Sequence, residues 1–347
     1  VRLPIKPPLK PMLAKPAKAV PAQPDGGGSA WLYEPKWDGF RAIIFRDGEE
    51  VFICSRNGKD LARYFPELVD AAREELPTRC IVDGELVVPR EIDGRTRLDW
   101  EALSERIHPA DSRVRLLATE TPSQFVAFDL LALDDTDYTG QPLSVRRAKL
   151  LEVVAGGGSC HVTSATEDAA TAEGWFESFE GAGLDGVIAK KLDGVYVPDK
   201  REMIKVKHAR TADCVLVGYR PHKSVPGIGS LLLGLYDGDK LEMIGGASAF
   251  TEVRRKQLLA ELQPLRVGDD VVSDGDTNRW KSGADRTWVP LRPERVVEIA
   301  YDQMEGNRLR HAARFLRWRD DRDPLSCTYD QLEVPVRYDF ADVLAGE

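Results

Sequence analysis

Apolar and polar positions along the first part of the chain fall into two periods. Residues 31–34 alternate and predict a short strand that enters a turn at 35–39. Residues 40–46 predict a second strand that pairs back through Asp47-Gly48 with residues 51–54, giving a meander with a lysine-bearing turn at its start. Helical spacing of apolar residues recurs over 61–76, 145–154 and 168–180, whereas 81–88, 125–133 and 187–191 are expected as buried strands.

Near residue 208 the texture changes. Short strands are predicted at 214–220, 230–236 and 240–246, then a helix at 251–262 and a further strand at 296–301. Several short strands with one helix suggest a small β-barrel, for which an OB-fold is the natural candidate. The expected fold class is therefore α+β: antiparallel sheets with helices over residues 1–208, followed by an OB-fold barrel over 209–347. The glycine-rich stretches 25–29 and 156–159 read as connections.

Length and composition narrow the class. A chain of 347 residues suits two domains, and 42% hydrophobic with 30% charged residues is a globular balance rather than that of a disordered or membrane protein. Residues 1–18 contain no long apolar stretch, so neither a signal peptide nor a targeting helix is expected and a cytoplasmic location follows. The five cysteines (Cys54, Cys80, Cys160, Cys214, Cys327) are widely spaced with no CxxC pair, which predicts reduced, structural thiols rather than a zinc site or disulfides.

A net charge of −9 argues against coating nucleic acid by bulk electrostatics, so any such contact is local. One local excess exists: arginines 308, 310, 314, 317, 319 and 322 face only Asp320 and Asp321 between residues 306 and 322. The run alone fits a solvated face equally well. The histidines (108, 161, 208, 222, 311) fall in no triad.

Lys36 lies in Glu34-Pro35-Lys36-Trp37-Asp38-Gly39-Phe40-Arg41, which matches KxDGxR. Further elements follow in order: Ser55-Arg56-Asn57-Gly58, Val82-Asp83-Gly84-Glu85-Leu86, Phe125-Val126-Ala127-Phe128-Asp129, Asp185-Gly186-Val187-Ile188-Ala189-Lys190, Lys205-Val206-Lys207, and the arginine-rich 314–322. As a set spanning residues 31–322, these resemble the motifs of the covalent nucleotidyltransferases. Among them the chain is most similar to the small, stand-alone bacterial ATP-dependent DNA ligases of the ligase C type. The resemblance implies a nucleotidyltransferase (adenylation) domain over 1–208.

It also implies roles. Lys36 would be the nucleophile that takes AMP from ATP. Attack on phosphorus needs the neutral amine, so neighbouring cations such as Lys205 and Lys207 are suitable; a lysine pair also protects strand edges. Glu34 would recognise the adenine amino group and Phe128 would stack on the base, although a buried strand can hold a phenylalanine simply as core. Arg41 and Arg56 would bind ribose or phosphate oxygens. Glu85 and Asp185 are the candidate ligands for Mg²⁺, with Mn²⁺ as an alternative. Asp185 stands where the family usually has glutamate, so a water-bridged metal contact is expected there. Arg314 and Arg317 would orient the departing pyrophosphate.

The implied reaction is the sealing of 5′-phosphate/3′-hydroxyl nicks in duplex DNA by a monomer, with a role in repair and room for other repair proteins as partners. About 30 residues precede the lysine-bearing strand, too few for a DNA-encircling domain. The residues disfavour an NAD-dependent ligase, which would bring a cysteine zinc module. A capping enzyme fits poorly with Glu34 and with the segments around Phe128 and Arg317, and an RNA ligase usually lacks the arginine-rich element. A non-catalytic adaptor with a dead core would not be expected to keep Lys36, Glu85, Lys205 and Lys207. Residues 280–292 read either as a solvated loop or as a DNA-touching one.

Overall fold

The structure is a computed structural model and describes residues 2–26, 28–92, 94–208, 210–268, 273–274, 287–332 and 338–346. The chain divides into two compact units, Val1–Lys207 with Pro335–Glu347, and His208–Val334. A single cut at residue 208 therefore misplaces the end of the chain. The helix Phe340–Ala345 buries Phe340 and Val343 in the apolar cluster that holds Trp37, Trp175 and Phe179, all of the first unit. Its cap, Asp339, also accepts a hydrogen bond from Thr96 N at 3.0 Å. Two apolar residues three positions apart make one helical face, and that face needs an apolar surface to cover it.

Two sheets build the first unit. In the larger, the strands run in the order Cys160–Val162, Gln124–Leu133, Arg79–Val87, Phe40–Asp47, Glu50–Ser55, with the short Thr136–Asp137 strand paired to Gln124–Leu133. Only the contact between Cys160–Val162 and its neighbour is parallel among the strands of that series. The two central strands are buried almost throughout, and Asp83 and Asp129 are buried in them among apolar neighbours. The smaller sheet has the order Leu13–Ala17, Arg201–Val206, Val187–Lys191, Trp31–Pro35.

The expected meander is thus only half present. Phe40–Asp47 does pair with Glu50–Ser55, but Trp31–Pro35 pairs with Val187–Lys191 in the other sheet. The turn carrying Lys36 passes the chain from one sheet to the other. Two glycines make this possible. A Cβ on Gly39 would lie 1.9 Å from Leu86 O, and Gly186, at φ +134°, would place one 1.9 Å from Val206 O.

The helix expected over 61–76 begins later, at Pro66–Glu75, after a 3₁₀ turn at Ala62–Tyr64. Proline has no N–H to donate and a fixed φ, so it suits the first helical position and excludes helix before it. The other two expected helices are Leu143–Val153 and Ala169–Ser178; Asp168 caps the latter by accepting from Ala170 N and Thr171 N. The helices Trp100–Glu105 and Asp111–Glu120 and the strand Leu13–Ala17 have no counterpart in the expected elements.

In the second unit, Arg210–Pro221 pairs antiparallel with Ile228–Asp237 on one side and with Val296–Tyr301 on the other. Lys240–Ala247 continues one flank and Arg314–Trp318 the other. Among the described residues the ladder does not close continuously. Its two ends meet at a single bridge, Ala247 with Ala313, where Ala313 N donates to Gly246 O at 2.9 Å. Leu258 and Leu262 of the helix Glu252–Leu262 fill the core beneath the strands. Of residues 280–292, those numbered 280–286 lie outside the described residues, and Thr287–Pro290 forms a strand paired with Arg210–Pro221.

All five cysteines are buried with free thiols, and burial pushes the Cys80 thiol up to about 12. Among the described residues no helix is long and apolar enough to cross a membrane.

Candidate active site

Between the sheets of the first unit lies a cavity of about 230 Å³, bordered by Glu34, Lys36, Arg41, Arg56, Glu85, Phe128 and Lys205. Seven residues singled out in the sequence therefore share one space. Lys36 is fixed there by backbone pairing. Its N–H donates to Gly186 O at 2.8 Å, and its carbonyl accepts from Asp185 N at 3.0 Å. Its Nζ lies 2.6 Å from Asp185 Oδ2, and Lys207 Nζ lies 2.5 Å from the same oxygen. One carboxylate oxygen thus holds two ammonium groups, both in side chains at most one-third exposed. Lys205 is pushed below its usual value, first by burial and then by the charges of Lys207, Lys36 and Arg56.

At the other end of the Lys36 turn, Glu34 is 2% exposed. Its Oε2 is 2.7 Å from Lys190 Nζ, while Oε1 has no hydrogen-bond partner. Arg147 comes within 3.8 Å of Oε1 but does not bond it, and its Nη1 is likewise without a partner. Lys190 also donates to Phe128 O at 3.2 Å and sits 4.6 Å from the centre of the Phe128 ring. Arg41 lies 4.4 Å from that ring centre. The aromatic platform and the carboxylate are therefore joined through one lysine.

Arg41 is less available than its place in the sequence suggests. Its Nε and Nη2 grip the two oxygens of fully buried Asp83, each at 2.6 Å, and Tyr196 Oη donates to the same carboxylate at 2.6 Å. Tyr196 Oη in turn accepts from Met12 N at 3.0 Å, which fastens the segment 11–14 as a wall of the cavity. Opposite Arg41 in the sheet stands Glu85, whose carboxyl is pushed up to about 7, chiefly by burial, against the opposing charges of Arg41 and Lys36. Arg56 is exposed at the cavity rim.

Among the described residues no three His, Cys, Asp or Glu side chains cluster as a ready-made metal cage. Mg²⁺ seldom needs one, because it keeps several waters and shares one or two carboxylates with substrate phosphates. Glu85, a poorly solvated carboxyl at the cavity, and Asp185, whose Oδ2 is paired with Lys36 and Lys207, are carboxylate oxygens of the type such an ion takes.

Arg314 and Arg317 belong to the second unit, on the strand Arg314–Trp318, and are exposed. Arg317 Nε donates to Glu298 Oε2 at 2.5 Å. Their neighbours Arg319 and Arg322 both donate to Asp213 Oδ2, each at 2.9 Å, and Arg319 also holds Asp321 with two bonds of 2.9 Å. The arginine run is therefore not one solvated face; part of it is folded onto a buried aspartate.

Residues 11–207 match a family model described as the ATP dependent DNA ligase domain, and residues 224–322 match one described as the ATP dependent DNA ligase C terminal region. The chain belongs to the ATP-dependent DNA ligase family. It is 60% identical over 348 residues to DNA ligase C1 of Mycolicibacterium smegmatis, an alignment covering 99% of each chain. It is 53% identical over 367 residues to DNA ligase C of Mycobacterium tuberculosis, covering 100% of this chain and 99% of the relative. A solved structure from a study of Lig E DNA ligases shares the fold, with a TM-score of 0.56 at 19% identity over 89% of this chain and 99% of that one.

Within this ligase, two residues of the cavity region carry little signal in the sequence. Lys190 closes one of the quoted motifs without an assigned task, and Arg147 is one of two adjacent arginines on a helix. What distinguishes them is the partner each meets in space.

Proposed function

We propose that this protein seals 5′-phosphate/3′-hydroxyl nicks in duplex DNA, with Lys36 as the residue that carries AMP. The observation that carries the reading is the placement of a single turn lysine at a cavity that also holds an aromatic platform, a buried acceptor and further cations. Phosphoryl transfer asks mainly for such positioning and charge.

The chemistry runs in three displacements. Lys36 Nζ, as the amine, attacks the α-phosphorus of ATP; an N–P bond forms, the bond to pyrophosphate breaks so that pyrophosphate departs with its electron pair, and one amine proton passes to solvent. Because Lys36 is held by Asp185, that contact opens before attack, and Lys207 remains to hold the carboxylate. The 5′-phosphate of the nick then displaces Lys36 from AMP, and the 3′-hydroxyl displaces AMP from the activated 5′-phosphate. Glu34 and Phe128 hold the adenine, Arg41 and Arg56 face ribose or phosphate oxygens, and Lys205 and Lys207 offset phosphate charge. Glu85 and Asp185 would hold Mg²⁺, or Mn²⁺ in its place, which supplies charge neutralisation at the phosphates.

Arg314 and Arg317 of the second unit take the pyrophosphate in this reading. Arg317→Ala then slows adenylylation more than it slows sealing of pre-adenylated DNA. A cytoplasmic monomer acting in repair, with other repair proteins as candidate partners, belongs to the same reading.

The test is incubation of protein freed of bound AMP with α-labelled ATP and Mg²⁺, followed by denaturation, for wild type and Lys36→Ala. Label is expected on wild type and absent from the variant. No label on either, or equal label on both, removes Lys36 from the mechanism. Sealing assays on nicks with deoxy or ribo 3′ ends, and on nicked RNA, then define the substrate.

A further inference from the structure

The helix Phe340–Ala345 is too short to hold itself together in water, so its place is decided by what it packs on. It is fixed at both ends. Asp339 accepts from Ala341 N at 2.9 Å and from Thr96 N at 3.0 Å, and Ser164 Oγ donates to Val343 O at 2.7 Å. Gly346 closes it at φ +76°, where a Cβ would stand 3.2 Å from Ser164 Cβ. Phe340 and Val343 are buried, and the Phe340 ring meets the indole of Trp37 edge-on, with centroids 5.8 Å apart and planes at 76°.

Trp37 directly follows Lys36 in the turn and borders the cavity. Its indole is buried, and Nε1 donates to Thr163 Oγ1 at 2.7 Å. Two routes therefore run from the helix to this indole: the Phe340 ring itself, and the pair Thr163-Ser164, which bonds Trp37 through one residue and the helix through the next. Deleting the Phe340 ring opens a space beside the indole, and neighbours in a close-packed interior relax partly into such a space. A shift of the indole is also a shift of the peptide that joins it to Lys36.

We propose that the helix Phe340–Ala345, which the chain adds to the first unit only after the second, orients the nucleophile, and that Phe340 is a positioning residue acting on Lys36 through Trp37. The inference rests on the reading of Lys36 as the AMP carrier and adds to it an element outside the motifs of residues 31–322. In-line attack depends on placing the amine against the α-phosphorus, and a misplacement of about 1 Å costs on the order of 100-fold in rate. The three displacements do not ask this of Lys36 equally. The first forms the bond between Nζ and phosphorus, and the second breaks it. In the third, the 3′-hydroxyl attacks a phosphate already activated by AMP, and no bond to Lys36 changes. A defect in the placing of Lys36 therefore falls on adenylylation and spares the last step, whereas loss of folded protein falls on every step alike.

The experiment uses full-length protein freed of bound AMP and held well below its melting point. It measures single-turnover adenylylation by α-labelled ATP and, on the same preparations, sealing of nicked DNA that already carries AMP on its 5′-phosphate. The proteins are wild type, Phe340→Ala, Phe340→Leu and Val343→Asp. Phe340→Ala should lower the adenylylation rate at saturating ATP by at least about tenfold, while sealing of pre-adenylated DNA stays within about twofold of wild type. Phe340→Leu, which keeps a large apolar side chain against the indole, should retain most of the wild-type rate. Val343→Asp puts a charge where the helix is buried, so the helix undocks with the Phe340 side chain unaltered. It should reproduce the selective loss, and it serves where Phe340→Ala does not fold.

Equal falls in the two rates would overturn the proposal and leave the helix a structural role only. Unchanged adenylylation in both Phe340→Ala and Val343→Asp overturns it as well. So does a loss that a higher ATP concentration restores, because nucleotide binding is then what failed. In each case labelling of wild-type Lys36 stands and the ligase reading survives; wild type that takes no label from ATP fails that reading instead.

Discussion

Arg146 and Arg147 are neighbours on one helix, and they end in two networks of opposite character. Arg146, 1% exposed, forks onto Asp129 with bonds of 2.7 and 2.9 Å, and its third nitrogen donates to Gln141 O and Gly194 O at 2.6 and 2.9 Å. Both carboxylate oxygens and all three guanidinium nitrogens have partners. Arg147 instead approaches Glu34 without bonding it, leaving a donor and an acceptor unpaired in a buried place. A closed buried ion pair is architecture, since it has nothing left to offer a ligand. An open one keeps an acceptor and a donor that the fold itself does not use. What separates them is completeness of bonding rather than burial or charge, which they share.

The comparison can be broken most sharply on its closed side. Arg146→Met strands Asp129 in the core, and removal of one partner of a buried pair typically costs about 3–5 kcal/mol. Thermal melts should show a large fall in Tm, while adenylylation with ATP, measured well below the melting point, stays near the wild-type rate; a changed rate would mean that the closed pair is not purely structural. Arg147→Met should be milder for stability, on the order of 1–3 kcal/mol. It should nonetheless reduce adenylylation with ATP more than Arg146→Met does when both are assayed well below their melting points. Equal activities would erase the distinction.

The smallest effect concerns Glu85, the other carboxyl at the cavity that is poorly compensated. Its value of about 7, against an ordinary 4.5, means that the folded protein keeps a proton which the unfolded chain releases over that interval. Its contribution to stability is present in full below about pH 4.5 and is lost as pH rises through about 7. Metal-free wild type should therefore lose stability relative to Glu85→Gln between pH 5 and pH 8, read as the difference in Tm at the two values. Adding Mg²⁺ with ATP should shrink that difference if Glu85 serves the metal. An unchanged difference points away from Glu85 as a ligand.

Much of this protein was legible in one dimension because the relevant signals are local. The strand 125–133 is apolar except for Asp129 and becomes a central strand of the larger sheet, and Asp168 stands where a helix cap is needed. The order of the motifs around Lys36 pointed to the ligase family, and the spacing of the cysteines to free thiols. The strand 31–35 was legible as a strand but not as a member of the other sheet. The tail at 340–345 carried an apolar face, with nothing nearby to say which core would cover it.

By itself, then, the sequence determined most of the strands and helices, the lysine-bearing turn and the family. Tertiary structure decided who meets whom. Lys36 and Asp185 are 149 positions apart, and Lys36 meets that carboxylate because a short backbone pairing sets the turn against the strand after Gly186. Likewise, only strand order and helix placement determine that Arg146 reaches Asp129 while Arg147 stops 3.8 Å short of Glu34. Local periodicity is a property of neighbours along the chain. The pairing of buried charges is a property of long-range register, and it is there that the closed network and the open one part.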